Sequence, residues 1–428
     1  PIYTSKLSSA LIRKRHMEFP HLPELDITEV DDKDTVQIGK YFKVEFVHVN
    51  HNIPEDLALY ITTPAGTIFH TGDWKFDKEP YKEKLTDLSH IEELGKRGVT
   101  LLMSDSTAAT KDGESITETS IMENLEDIFK EAKGRIIAAT FASLINRVQQ
   151  MISLSEKYGR KVVIDGYSMK NNIEIMKEFG EIDIKDGTQI PVEQIDEYRD
   201  DQITIIGTGA QGEERAVMMR VASGDHRYIT LKPTDSAIFS SSVIPGNERT
   251  VQRLRDLLAR VGVKVYHSEM MDIHASGHAA SDDLKLMVRL TKPKFFMPIH
   301  GHYYMMVAHN EHAISEGVPK ENTMLPDNGN IVHITPDDWW FDKKTANVDN
   351  VMVDGLGVGD VGNVVIRDRQ VLAEEGMFMI VTLINGKNGM VQGSPDIISR
   401  GFVYLKDNKE LLSDVRKQVK SVVRKVVT

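Results

Sequence analysis

The sequence has no cysteine. That excludes disulfides and thiolate metal ligands, so any bound metal must rest on His, Asp or Glu. It also fits a reducing compartment. No run of about 18 apolar residues occurs, which excludes a helix that spans a membrane. Residues 1–16 carry Lys6, Arg13, Lys14 and Arg15 without a long apolar stretch, and they do not read as a signal peptide. There is no internal repeat and no low-complexity tract. The glycine-rich stretch 354–360 lacks the spacing of a dinucleotide or P-loop fingerprint, and it reads as a turn-rich linker. The formal net charge of -12 counts against a simple nucleic-acid coat. It does not count against an enzyme whose basic groups line one cleft.

What is present is long and ordinary in composition. The 428 residues, 40% hydrophobic and 27% charged, suit a globular chain of two or three domains. The first third reads as strands and turns: Phe42–Val49, then Leu57–Thr63 and Thr67–His70 as a hairpin, then Val99–Met103. From about Thr117 helical patterns alternate with strands. Helices are expected over Ile121–Glu131 and Ile145–Tyr158. Strands are expected at Arg135–Ala139, Lys161–Ile164, Ile203–Gly207 and Ala237–Ser240. This rhythm, running to about Gly262, predicts a parallel-sheet domain of its own. Lys264–His267 and Lys294–Ile299 read as further strands, and Leu411–Thr428 as a basic amphipathic helix.

Among the 15 histidines, several follow strands: His48 and His51, His274 and His278, His300 and His302. Asp73 follows another strand. Strand ends of a layered α/β fold gather at one edge, where sites form. A lone histidine there is more often structural. Several at like positions, beside an aspartate, point to a His/Asp metal site. Such donors suit two ions that activate water and stabilise a leaving oxygen.

Motif by motif the chain resembles the ribonuclease J family, of the metallo-β-lactamase fold and its β-CASP group. His51-Asn-Ile-Pro-Glu55 resembles the third metal motif of that fold, and His70-Thr-Gly-Asp73-Trp-Lys-Phe-Asp77 the fourth. Ser104-Asp105-Ser106-Thr107, His274-Ala-Ser-Gly-His278 and Pro298-Ile-His300-Gly-His302 resemble β-CASP motifs A, B and C. Thr140–Ser143 with Arg147, Thr208–Glu213, Ser240–Asn247 and Pro395–Phe402 are similar to ribonuclease J in the same order.

The resemblance implies a four-layer αβ/βα lactamase core with an inserted β-CASP domain. The core would comprise residues 1–118 and 263–355, the insertion 119–262, a linker 356–380, and the start of a C-terminal domain 381–428. It implies two divalent ions, zinc foremost, with manganese or magnesium as alternatives. His51 would bind the first ion, Asp73 would bridge both, and His300 would bind the second. His278 would protonate the leaving oxygen or stabilise charge, with Asp105 tuning it. Ser276, Gly277 and His274, with Ser240, Ser241 and Ser242, would cradle a 5′-phosphate, and Arg147 would touch the RNA backbone.

The implied activity is cleavage of RNA, 5′-to-3′ and internally, in the cytoplasm, by a dimer, a tetramer or a complex with a paralogous subunit. A silent RNA-binding subunit and a small-molecule hydrolase are the competing readings. None of the histidines lies in the H-x-H-x-D-H motif that the family carries before the region where this chain starts. A missing N-terminal part is therefore expected, and activity of the chain alone is left open. His48 is expected to be structural, His302 not to be a ligand, and Asp77 to be a solvated turn residue. His16, His21, His90, His309, His312 and His333 read as surface residues.

Overall fold

Four strands that run in the same direction explain where the site lies. In chain order the first elements are β1 (Ile2–Thr4), α1 (Lys6–His16), β2 (Ile27–Glu29), β3 (Thr35–Ile38), β4 (Phe42–His48), β5 (Leu57–Thr63), β6 (Gly66–His70), α2 (Leu88–Arg97) and β7 (Leu101–Asp105). Then come α3 (Glu118–Glu131), β8 (Ile136–Ala139), α4 (Ile145–Lys157), β9 (Lys161–Ile164), α5 (Tyr167–Glu178), β10 (Ile203–Gly207), α6 (Val217–Ala222), β11 (Ser236–Phe239), α7 (Glu248–Val261) and β12 (Lys264–His267). The last are α8 (Ser281–Thr291), β13 (Phe295–Ile299), α9 (Tyr303–Ser315), β14 (Asn330–Ile334) and β15 (Trp339–Thr345). The computed structural model describes residues 1–244, 246–349, 351, 353–354, 357–358, 371–372, 375–400 and 409–427.

A six-stranded sheet runs in the order β13-β7-β6-β5-β4-β3. Strand β5 is antiparallel to both β4 and β6, while β7 is parallel to β6 and to β13. The four strands β4, β6, β7 and β13 therefore point the same way, and their C-terminal ends share one edge. Alternation along the strands divides the sheet into two apolar faces. Phe69, Leu102 and Phe296 meet Ile91 and Leu94 of α2, Leu284 and Met287 of α8, and Ala313 of α9. On the opposite face Leu101, Phe295 and Met297 pack against Val332, Ile334 and Trp339 of the β14–β15 hairpin.

The inserted domain is a five-stranded sheet, β12-β11-β8-β10-β9, parallel throughout. Strands β8, β9, β10 and β11 are short, apolar and almost wholly buried, as crossover helices on both faces require, while the edge strand β12 is partly exposed. Ile136, Ala138, Val162 and Ile206 meet α3, α4 and α5. Ile137, Val163, Ile205 and Phe239 meet α6 and α7. Strand β12 lies beyond the expected boundary at 262 yet completes this sheet by pairing with β11.

Residues 1–345 form one compact unit and residues 346–428 another. In the second, the strands Met377–Ile384 and Val391–Arg400 pair antiparallel, and a helix spans Lys409–Val427. Most of the expected linker 356–380, and Gly401-Phe402 of the Pro395–Phe402 motif, lie outside the described residues. No helix among the described residues is long and apolar enough to cross a membrane.

Candidate metal and catalytic centre

The shared edge of the six-stranded sheet brings together residues far apart in sequence. His51 follows β4, Asp73 follows β6, Asp105 ends β7 and His300 follows β13. His278 arrives from the loop before α8. Asp73, Asp105, His278 and His300 each offer a ligand atom within 4.8 Å of the others.

Asp105 is the pivot of the group and is almost fully buried. Its Oδ2 accepts the Nδ1–H of His278 at 2.6 Å. Its Oδ1 accepts the backbone N–H of Thr107 at 2.9 Å and lies 3.2 Å from Nδ1 of His300. Burial would raise this carboxyl, but the bond and charge of His278 with the two Thr107 bonds outweigh it and hold it below its ordinary value. For His278, burial works against the cation. The bond and charge of Asp105, helped by Asp73, reverse that and raise the imidazole above its ordinary value.

His300 stands at φ 49°, a left-handed conformation that costs a non-glycine residue roughly 1–3 kcal/mol. The Thr107 hydroxyl, 2.8 Å from the His300 carbonyl, and the Ser106 N–H, at 3.3 Å, hold it there. His51 donates Nδ1–H to the Gly277 carbonyl at 2.7 Å, which leaves Nε2 as its free ligand atom. Its ring centroid is 5.1 Å from that of His278, whose own ring stacks on His300 at 5.4 Å.

The donor set fits a divalent cation of the borderline type, since it combines imidazole nitrogens with carboxylate oxygens. Both Asp105 oxygens are already taken by donors. Asp105 therefore suits orienting the imidazoles, and Asp73 and His300 suit holding an ion; His51, expected to bind the first ion, stands beside His278 but is not among the four residues whose ligand atoms converge.

Beside this centre lies a cavity of about 300 Å³, lined by Lys111, Ser242, His274, Ser276 and His278 and also by the acidic Asp112, Glu114 and Asp272. Burial, with the Arg147 guanidinium nearby, pushes His274 down to about 3, so its ring is neutral at pH 7. Its Nδ1 has no partner. The Ser276 hydroxyl accepts the His278 N–H at 3.2 Å. A larger cavity of about 600 Å³, lined by Phe76, Leu85, Leu286 and Arg289 among others, contains none of these residues.

Burial corrects several expectations. Arg147 is 1% exposed and its guanidinium is bonded to Glu118, Gln150, Ser240 and the Ile273 carbonyl, so it faces no RNA backbone. Ser240 is fully buried and donates to the same carbonyl, and Ser241 is buried against Gln211; only Ser242 of the three reaches the cavity. Asp77 is no solvated turn residue: it is buried in an ion pair with Lys75 at 2.9 Å. His309 is fully buried, not on the surface, with Nδ1 3.0 Å from the Ser106 hydroxyl. His48 is buried with Nε2 on the Lys84 carbonyl, and His302 stacks on Tyr304 outside the donor group.

Three contributors were not foreseen from the sequence. Thr107 lies inside a recognised motif but had no role. Asp56, close enough to feel the charge of Asp73, is pushed up to about 6, chiefly by burial; nothing in its neighbours signals this. Glu118 pairs with Arg147. Arg147 did leave a trace, because helical spacing places it beside Val148 and Met151 on the inward stripe of α4.

Fold and site together define a metallo-hydrolase of the metallo-β-lactamase type with a β-CASP insertion. Comparison with known proteins makes this particular. Residues 133–258 match the ribonuclease J beta-CASP domain, 263–326 the Zn-dependent metallo-hydrolase RNA specificity domain, and 364–428 the ribonuclease J C-terminal domain. The chain is 38% identical over 424 residues to ribonuclease J 1 of Streptococcus pyogenes, covering 99% of this chain and 75% of that protein. It is 37% identical to ribonuclease J of Thermus thermophilus, covering 97% and 71%, and 34% identical to ribonuclease J2 of Bacillus subtilis, covering 99% and 76%. The chain belongs to the ribonuclease J family. A solved structure of a protein of unknown function from Enterococcus faecalis shares the fold, with a TM-score of 0.55 at 16% identity, covering 80% of this chain and 75% of that one.

Proposed function

We propose that this ribonuclease cleaves RNA phosphodiester bonds by metal-assisted hydrolysis, from a 5′-monophosphate end and internally. The observation that carries the reading is the Asp105–His278 pair at 2.6 Å, set beside Asp73 and His300. With Nδ1 bound to Asp105, the second proton of the His278 imidazolium sits on Nε2. That proton can pass to the leaving oxygen as the P–O bond breaks and water oxygen adds to phosphorus. Asp105 fixes the tautomer and the ring plane and offsets the positive charge.

Asp73, His300 and His51 would hold two divalent ions, with zinc favoured over manganese or magnesium by the imidazole donors. Such ions supply an activated water and charge stabilisation at phosphoryl oxygens. Ser242, Ser276, neutral His274 and Lys111 make a small polar pocket next to the reacting centre. Its donors suit a terminal phosphate and Lys111 supplies a cation for one, set against Asp112, Glu114 and Asp272 of the same lining, which a bound 5′ end would have to keep at a distance.

The test is cleavage of 5′-monophosphorylated RNA, with zinc or manganese, by this chain and by the full-length product of its gene. Release of mononucleotides that is abolished by His278→Ala supports the reading. RNA binding without cleavage by either protein would replace it with a silent RNA-binding subunit.

A further inference from the structure

The loop that carries His278 is pinned at two carbonyls. At one end Gly277 C=O accepts from His51. At the other, Ile273 C=O accepts from Nη1 of Arg147 at 2.6 Å and from the Ser240 hydroxyl at 2.6 Å. Ala275, between them, is buried.

Arg147 is itself fixed on every side. Nη2 donates to Glu118 Oε2 at 2.8 Å, Nε donates to Gln150 at 2.7 Å, and Gln150 returns to the Glu118 carbonyl at 3.0 Å. Glu118 Oε1 lies 3.5 Å from Lys75 Nζ, which pairs with Asp77 at 2.9 Å. Lys75 is two residues after Asp73, and its backbone N–H donates to Asn50, the neighbour of His51. A chain of buried contacts thus runs from the loop of Asp73, through Glu118 and Arg147, to the loop of His278.

We infer that Arg147, held by Glu118, is a positioning residue that sets His278 against Asp105 through the Ile273 carbonyl. A buried ion pair is weak evidence for stability, since apolar packing of like volume often serves as well. What the pair does supply is direction. The planar guanidinium has donors at fixed angles, and here two of its nitrogens serve Glu118 and Ile273 at once. The consequence is kinetic, because a reacting group displaced by about 1 Å can cost on the order of 100-fold in rate. The inference rests on the ribonuclease reading above for its kinetic half only.

Two variants test it in the full-length gene product. Arg147→Lys keeps the charge but has no fork to serve both partners. Ser240→Ala removes the second donor to Ile273 together with an acceptor of Arg147 Nη1, with little change in volume. The first readout is kcat and KM on RNA. The second is the downfield Nδ1–H resonance of His278 in metal-free, 15N-histidine-labelled protein, assigned by its loss in His278→Ala.

Arg147→Lys should lower kcat by about 30-fold and Ser240→Ala by about fivefold, with KM within about twofold. Both should broaden or shift the His278 resonance of the folded protein, and Ser240→Ala should lower the melting temperature by only about a few degrees. If both variants keep kcat and the resonance, the inference is overturned. It is equally overturned if kcat falls only in proportion to lost folded protein while the resonance of the folded fraction is unchanged. Should Arg147→Lys fail to fold, Ser240→Ala decides alone. Should the wild-type protein not cleave RNA, the ribonuclease reading fails and the resonance decides the positioning role.

Discussion

His51 and Gly277 meet across the site with no room for a side chain between them. A Cβ on Gly277 would lie 2.5 Å from Cε1 of His51 and 2.6 Å from its Nδ1. The same Nδ1 donates to the Gly277 carbonyl. This glycine is required by close approach, and its carbonyl sets the tautomer that frees Nε2 of His51.

Gly277→Ala should therefore swing the His51 ring out of register. Loss of such an orienting contact typically weakens metal binding by about 10–100-fold, and overpacking here should cost about 1–3 kcal/mol. Isothermal titration with zinc and a urea melt measure the two. Unchanged zinc affinity would show that His51 Nε2 is not a ligand.

His278→Ala should reduce cleavage by about 100- to 10,000-fold, the range for a lost general acid. Asp105→Asn tests the tuning. His278 is held above its ordinary value against burial by Asp105. In the proposed role its protonated form is the active one, so activity would be lost as pH rises through its pKa. Removing the carboxylate charge should move that loss to lower pH. A kcat–pH profile whose basic limb stays in place would sink the assignment.

Metal binding should depend on Asp73 and His300 more than on Asp105. Asp73→Ala and His300→Ala are expected to weaken zinc or manganese binding by about tenfold or more, with Asp105→Asn affecting turnover first. Equal loss of metal in all three variants would place Asp105 among the ligands.

Glu83 gives a stability test away from the chemistry. Burial pushes its carboxyl from 4.5 up to about 7, and its Oε1 has no hydrogen-bond partner, with His48 Nε2 near it at 3.9 Å. Between those values the folded protein keeps a proton that the unfolded chain has lost. Stability from this group therefore falls as pH rises through the window, and the penalty is complete above about 7. Glu83→Gln should be neutral at pH 4.5 and stabilising at pH 8, by on the order of 2–3 kcal/mol. Denaturant melts at the two pH values check this. An equal effect at both would mean that the carboxyl ionises normally in the fold.

Much of the framework was legible because it is written locally. The strands at 161–164, 203–207 and 264–267 were readable to the residue, since short apolar runs between turn signals mark buried parallel strands. The six-stranded sheet's edge was legible as strand-end His and Asp. Arg147 and Asp77 were misread because a charged side chain gives no local sign that a partner has been folded onto it. His309 was misread for the opposite reason: its burial depends on α9 packing under β13 and on Ser106 from another loop.

The sequence by itself determined the donor chemistry, the parallel insertion and the order of the motifs, because residue type and periodicity act over a few residues. Only the tertiary structure decided which of these groups converge at the sheet edge and which are buried behind it. His278 meets Asp105 across 173 residues of chain, Arg147 meets Ile273 across 126, and His51 meets Gly277 across 226. Contacts of that range come from the packing of two sheets and their loops, and burial then fixes which charges remain free to act.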